Sequence, residues 1–587
     1  MAIEVTVHAG ADDAFIAWTA DFIPNCRGFA LYRRIKRLPG TTASPNTVAT
    51  ATDGVAEEIV ASWVGFAKGP DVAPGTRQPT TVWPIQKYLW SDFAVGAGDT
   101  VAYRVVPMVG AWNALAPANN LASGWSNEVV IGPRQGDKVT CYFNRGIVAS
   151  QWVARQLPSL PEPKADTTAK NNELRKSIGK PGNIIRDFLS GGVRVEMIKL
   201  LKDANAAGGQ IYVAVFELDD PELLPLLEAF GQRAHIVLGN GSVKKKGQDE
   251  NADARAALRG VCDLHDRFSA PRALAHNKFM VICDKTGKGQ AVFTGSTNWT
   301  ETGLCTQANN GILVKSATLA TQYIAQWTAL VAAGDATPET LRDSDGTAKP
   351  TGIGGMTLWF TPMSGGADLD QAGALIAGAK EGILFAMFNP GPRGTLLSDI
   401  IELASPQGAH YNPDLYIQGV LNQNPGTDKN PVTLFNRGSR IDANEDVVLP
   451  AAIDTRMHYW VRELKQLGGT FAMVHSKVVV IDPYGAHPVV MTGSHNMGPK
   501  ASGTNDENFL IIEGNGPLAS QYASKIMEIY NQYRWRASQQ NTPQEKNWEG
   551  LADDDKWQIG VPAADAKTQA YDKRRRRELA FWFGQPA

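Results

Sequence analysis

The sequence predicts a multidomain chain: an all-β sandwich at the N-terminus, then two α/β halves that repeat one another about a pseudo-twofold axis. Three observations carry this. Residues 1–134 hold short strand-like runs between Gly, Pro and Asp clusters and no helical periodicity. Beyond residue 139, strand-like runs alternate with amphipathic helical ones, the pattern of a layered α/β fold. Finally, Ala275-His276-Asn277-Lys278 runs on to Asp284 and, eleven residues later, to Gly295-Ser296-Thr297-Asn298. The same arrangement recurs from Val474-His475-Ser476-Lys477 through Asp482 to Gly493-Ser494-His495-Asn496.

In chain order, the sandwich is predicted from runs such as 3–7, 14–18, 28–33, 100–107 and 127–131. The stretch from about 40 to 98, rich in Thr, Pro and Trp, reads as an elaborated loop, with Trp83 and Trp90 packing against the body. Gly132 to Lys138 is the linker. The first half spans 139–340 and the second 350–545, separated by a Gly-, Thr-, Pro- and Asp-rich break; a tail covers 546–587.

The halves share their elements in order. The run 139–144 corresponds to 356–361, 210–216 to 382–388, and 234–238 to 415–420. After the motifs, Leu319-Ala320-Thr321-Gln322-Tyr323 returns as Leu518-Ala519-Ser520-Gln521-Tyr522, each opening an amphipathic helix. Residues 160–180 and 240–256 read as charged loops, and Lys244-Lys245-Lys246 in the latter fits equally a contact to an anionic substrate or a solvated loop. In the tail, Lys573-Arg574-Arg575-Arg576-Arg577 precedes Phe581-Trp582-Phe583, and a helix whose aromatic end docks on the body is the reading preferred over a phosphate-binding patch.

Each motif has a physical logic. His and Lys two apart face one side of a strand, and the following apolar run (Phe279 to Ile282, or Val478 to Ile481) has the length and β-branching of a buried strand. The second strand ends in Gly-Ser-x-Asn, small residues that let backbone N–H groups approach an anion. One histidine can attack phosphorus and the other protonate the departing oxygen, while lysines and amides neutralise the remaining oxygens. No His-Glu-x-x-His, carboxylate cluster or Cys pair calls for a metal, and no cofactor is expected.

The doubled His-x-Lys-x4-Asp with Gly-Ser-x-Asn resembles the phospholipase D superfamily, and the Trp18, Tyr103 and Trp125–Val129 stretches resemble the fibronectin type III pattern. The first resemblance implies a metal-independent, covalent phosphohistidine mechanism with His276 as nucleophile and His475 as acid. Lys278, Lys477, Asn298 and Asn496 would hold the oxyanions, with Ser296 and Ser494 assisting; Asp284 and Asp482 would orient the histidines. Glu507 fits the place of a Glu that often follows the second motif and is expected, with Ser296 and Ser494, to bind the substrate; His495 is a candidate substrate contact. The first copy departs from the pattern. An extra residue between Lys and Asp leaves Cys283 or Asp284 at the acidic position, a bulge favouring Asp284. Asn309 stands where the second copy has Glu507.

The net charge of −2 gives no general attraction for nucleic acid or anionic membrane, so any such contact is local. Five scattered cysteines show neither zinc nor disulfide spacing and read as reduced thiols. No signal peptide and no apolar run long enough to span a bilayer stand out, so a cytoplasmic monomer, or one exported without a cleavable signal, is expected. The ranked functions are phospholipid hydrolysis or transphosphatidylation with transient membrane-surface contact, then a nuclease acting on DNA or RNA, then a degenerate binding protein.

Overall fold

Alternating apolar positions build the N-terminal region. In the strand Cys26–Lys36, Phe29, Leu31 and Ile35 turn inward, and Tyr103 and Val105 do so in Thr100–Ala111, against which it pairs. A three-stranded sheet of Glu4–Ala9, Ala14–Thr19 and Leu89–Asp92 contributes Ile16 and Trp18 to the same core. The computed structural model describes residues 2–38, 47–50, 54–73, 75–134, 136–146, 153, 156, 167–426, 445–448, 473–541, 550–558 and 577–584.

The stretch from 40 to 98 is more than a loop: Val55–Ile59 pairs with Cys26–Lys36, and Leu89–Asp92 with Ala14–Thr19. Buried charge concealed these strands. Glu58 and Asp92 are inside the region and pair with Arg33, while the Tyr103 hydroxyl donates to Asp92 at 2.9 Å. A pattern search for apolar alternation passes over such ion pairs.

Beyond the linker lie two seven-stranded sheets with the same strand order. The first runs Val139–Phe143, Asn310–Val314, Gly289–Gly295, Lys278–Cys283, Ile211–Val215, Ala234–Gly239, Asp263–Arg267. The second runs Met356–Thr361, Glu507–Glu513, Val489–Gly493, Lys477–Ile481, Gly382–Met387, Tyr416–Leu421, Glu445–Val448. Each motif strand is the fourth of seven, covered on both faces, which is why its residues read as a continuous apolar run rather than an alternating one.

The helices Ala317–Ala333 and Gly516–Asn541 follow the last strand of each sheet. Tyr323 and Tyr522 on them are fully buried in one continuous core that also holds Phe279 and Val478. At about 1.5–3 kcal/mol for each large side chain removed from water, this shared core binds the halves together. The junction is reciprocal: Asn310 donates to Thr492 (2.9 Å) and Tyr522 (3.1 Å), and Asn508 accepts from Thr294 (2.8 Å) and Tyr323 (3.2 Å).

Within 160–180 the structure places a helix, Thr167–Ile178, where a charged loop was expected; Leu174 and Ile178 are buried, an apolar pair at i and i+4 diluted by its polar neighbours. Lys244, Lys245 and Lys246 are exposed. Residues 573–576 of the basic run lie outside the described residues. Residues 577–582 are helical, and Trp582 packs against Phe15 and Tyr484 while its carbonyl oxygen lies 2.7 Å from His8 Nε2. Among the described residues, no helix is long and apolar enough to cross a membrane.

Candidate active site

Each motif delivers its histidine and lysine at the start of a central strand. Lys278 Nζ donates to the His276 carbonyl at 2.8 Å, and Lys477 Nζ to the His475 carbonyl at 2.7 Å, so each ammonium is folded back beside its own histidine. The residue just past the neighbouring strand completes the arrangement. Phe216 meets the His276 ring edge to face at 4.8 Å, with Lys278 Nζ 4.8 Å from its centroid. Phe388 does the same for His475 and Lys477, at 4.6 Å for both. Neither phenylalanine was singled out by sequence reasoning, although both close matching apolar runs of the internal repeat.

The partner of each histidine comes from the opposite half. His276 Nδ1 lies 2.7 Å from Glu507 Oε2, and His475 Nδ1 lies 2.9 Å from Asn309 Oδ1 and 3.0 Å from the Ser296 carbonyl. With acceptors on Nδ1, the proton of the neutral ring sits there and Nε2 keeps the free lone pair. The connection is laced by backbone. Asp506 N donates to the Leu274 carbonyl (2.9 Å), Leu274 N to Asn505 Oδ1 (3.1 Å), and His475 N and Ser476 N to the Ala308 carbonyl (3.0 and 2.9 Å). Buried Arg267 clamps Asp506 with two bonds of 2.5 and 2.8 Å, anchoring the residue next to Glu507.

Burial and crowding of like charges dominate the electrostatics. Both histidines are held well below the ordinary imidazole value, first by desolvation and then by the lysines. Desolvation also lowers Lys278 and Lys477, and each histidine and Lys477 feels Lys278, so both motifs share one electrostatic site. Burial pushes the Glu507 carboxyl up to about 7, and raises Glu217 as well. These buried like charges disfavour further protonation of one another, and a phosphodiester anion beside them would offset that repulsion.

Several expected roles need correction. Asp284 and Asp482 do not touch the histidines. A strand separates each from its motif histidine: Asp482 follows Lys477–Ile481 and accepts the N–H groups of Lys380, Glu381 and Gly382 at 2.7–2.9 Å. Asp284 accepts from Thr286 N and Lys288 N and closes a hairpin turn. Nor is Asp284 the counterpart of Asp482. Cys283 N donates to the Gln210 carbonyl as Asp482 N does to that of Gly382, each residue following a matched pair (Ile282 with Ile211, Ile481 with Ile383). The register slip falls between Ile282 and Cys283, with Gln290 as the extra residue on the facing strand.

Ser296 and Ser494, expected to assist at the substrate, are fully buried. Ser296 Oγ donates to Asn309 Oδ1 at 2.8 Å, and Ser494 Oγ accepts from Asn508 N at 3.0 Å and bears on Glu507, so the serines brace the histidines' partners. Glu507, expected at the substrate, is itself fully buried behind His276. His495 is also fully buried, stacked on Phe509, with Nδ1 accepting from Met497 N and Nε2 3.1 Å from Asp368, so it is no substrate contact. Asn298 donates to Glu217 at 2.7 Å; Asn496 is partly exposed. Among the described residues, no group of three or more His, Cys, Asp or Glu is placed to hold a metal ion.

The family model described as "Cardiolipin synthase, PLD-like domain" matches residues 191–331 and 374–530, together just over half of the chain. Among solved structures, polyphosphate kinase from Porphyromonas gingivalis is 12% identical over 90% of this chain and 77% of its own, with a TM-score of 0.39. Phosphatidylserine synthase from Haemophilus influenzae Rd KW20 is 12% identical over 67% and 93%, with a TM-score of 0.40. Nuc from Salmonella typhimurium, a phospholipase D family member, is 20% identical over 24% and 86%, with a TM-score of 0.19. Comparison with curated proteins found no match.

Proposed function

Because the chain belongs to the phospholipase D-like family represented by the cardiolipin synthase domain, we propose that it is a phospholipid-directed phosphodiesterase working through a phosphohistidine on His276. The observation that carries this reading is the unequal pair of contacts behind the histidines: a carboxylate, Glu507, at His276 Nδ1 and a neutral amide, Asn309, at His475 Nδ1. The nucleophile becomes cationic as its Nε2 bonds to phosphorus, and a carboxylate on Nδ1 stabilises that charge. The acid must instead give its proton away, which a neutral acceptor favours over an anionic one.

The sequence of events is then a double displacement. The bound phosphodiester anion favours the imidazolium form of His475, which enters the step carrying protons on both nitrogens; His276 Nε2 attacks phosphorus while His475 Nε2–H protonates the departing alcohol oxygen. His475, now neutral, takes a proton from water or a second alcohol, whose oxygen attacks the phosphohistidine and releases His276. Lys278 and Lys477 balance the phosphoryl charge, with Asn298 and Asn496 supplying amide N–H groups. The family description favours a lipid diester over a nucleic acid, and the net charge of −2 is consistent with that. The N-terminal β-rich region is read as a fibronectin type III-like sandwich.

The test is headgroup release from phospholipid vesicles in the presence of chelator, with DNA and RNA as parallel substrates and His276→Ala and His475→Ala as controls. Headgroup release lost in both variants supports the reading; histidine-dependent cleavage of nucleic acid alone replaces it with the nuclease.

A further inference from the structure

Glu217 has no task in the mechanism above, yet it stands inside the site. It follows Phe216, the ring that packs on His276 and Lys278, and its Oε2 accepts the Asn298 amide at 2.7 Å. It interacts electrostatically with both Lys278 and Lys477. Whereas His276, Lys278, Asn298, His475 and Lys477 are each less than 5% exposed, Glu217 is partly open to solvent. Among the described residues no donor reaches its Oε1.

A carboxylate is an odd neighbour for a phosphodiester. The groups that meet the phosphoryl oxygens must donate, as the lysines and amides do, and a carboxylate oxygen can only accept or repel. Desolvation already disfavours its charge. An acceptor in such a place is therefore suited to the part of the substrate that carries donors, which is the alcohol rather than the phosphoryl group. Half of the carboxyl is already engaged: Asn298 holds Oε2 and leaves Oε1 free of donors among the described residues. The equivalent position in the second half, one past Phe388, is the exposed amide Asn389, so the repeat offers this acceptor charge on one side only.

Resting on the phosphodiesterase reading above, we propose that Glu217 is a specificity-determining residue, accepting a hydrogen bond from a hydroxyl or ammonium group on the alcohol portion of the diester. Substrates whose alcohol bears such a donor are then preferred over those whose headgroup has none.

The experiment compares kcat/KM of wild type and Glu217→Gln on four diesters: phosphatidylethanolamine (ammonium), phosphatidylglycerol (hydroxyls), phosphatidylcholine (no donor), all as vesicles of matched charge, and soluble bis(p-nitrophenyl) phosphate. The wild type is expected to favour the two donor-bearing lipids over phosphatidylcholine by about tenfold, the scale of one hydrogen bond to a charged group. In Glu217→Gln, which keeps an acceptor for Asn298 but loses the charge, the ratio should fall toward one, most steeply for the ammonium. A residue that merely holds Asn298 would lower every substrate alike and leave the ratio intact, which overturns the proposal. So does a wild type indifferent to the three lipids, whatever the variant's folding. Turnover of the p-nitrophenyl diester without turnover of any lipid overturns the proposal and leaves a phosphodiesterase; turnover of none of the four overturns both.

Discussion

The two halves share a strand order, a His-Lys pair, a phenylalanine under each pair and a buried serine beneath each Gly-Ser-x-Asn turn. They differ where charge matters. The second half sends Glu507 to the first half's histidine, and the first half sends Asn309 back. Conversely, the first half places Glu217 beside its own lysine, where the second has Asn389. The repeat thus supplies a symmetric frame, and in the mechanism proposed above single carboxylate-for-amide differences on it divide nucleophile from acid. Because each histidine is tuned from across the junction, neither half can be a complete site alone.

The largest test of this division removes the histidines separately. Each of His276→Ala and His475→Ala should lower turnover of a phospholipid by at least about 10³-fold. With a p-nitrophenyl diester, whose leaving group needs no proton, His475→Ala should still accumulate a phosphohistidine detectable by mass spectrometry while His276→Ala accumulates none. The reverse labelling would exchange the two roles.

Next in size is the pair behind the histidines. Glu507→Gln should lower kcat by about 10²-fold and Asn309→Ala by about tenfold, since only the former removes charge from the nucleophile's partner. Equal losses would erase the distinction between the halves. In wild type, kcat/KM should fall as pH drops through about 7, where Glu507 gains its proton, and this acid limb should be absent from Glu507→Gln. The same raised carboxyl affects stability with a definite sign. Between 4.5 and about 7 the folded state binds the proton that the unfolded state has lost, so this group's contribution to stability falls as pH rises. The Tm of Glu507→Gln relative to wild type should therefore be more favourable at pH 8 than at pH 5.

The acidic residues after each motif strand should differ in stability rather than chemistry. Asp482 accepts three backbone N–H groups and is buried, so Asp482→Ala should cost about 2–3 kcal/mol of unfolding free energy by denaturant titration. Asp284→Ala, at an exposed turn, should leave the transition nearly in place. A drop in kcat in Asp482→Asn at a pH where that variant remains folded would return the aspartate to the chemistry. Smallest, Phe216→Leu and Phe388→Leu should each weaken the site by about 0.5–2 kcal/mol through the lost cation–π contact, read as matching shifts in the pH profile.

Much of this is legible in the sequence. The motif strands announce themselves because a strand covered on both faces needs an unbroken apolar run, and the repeat exposes equivalent elements. The strands Val55–Ile59 and Leu89–Asp92 were not legible, because Glu58 and Asp92 are buried with Arg33 rather than exposed. The orienting role that the resemblance implies for the aspartates fails for a different reason: a strand carries its two ends apart at about 3.3 Å per residue, so Asp284 and Asp482 end far from the histidines that precede their strands.

What the sequence by itself determined is therefore local and periodic: the central strands, the paired His and Lys at their entrances, and the doubling of the frame. These follow from backbone geometry and hydrophobic burial, which act on neighbouring residues. Only the tertiary structure decided what stands behind each histidine, since Glu507 and His276 are 231 positions apart and Asn309 and His475 166. The tautomer and charge environment of each histidine depend on those contacts, and packing two sheets against one another is what brings them within hydrogen-bond reach.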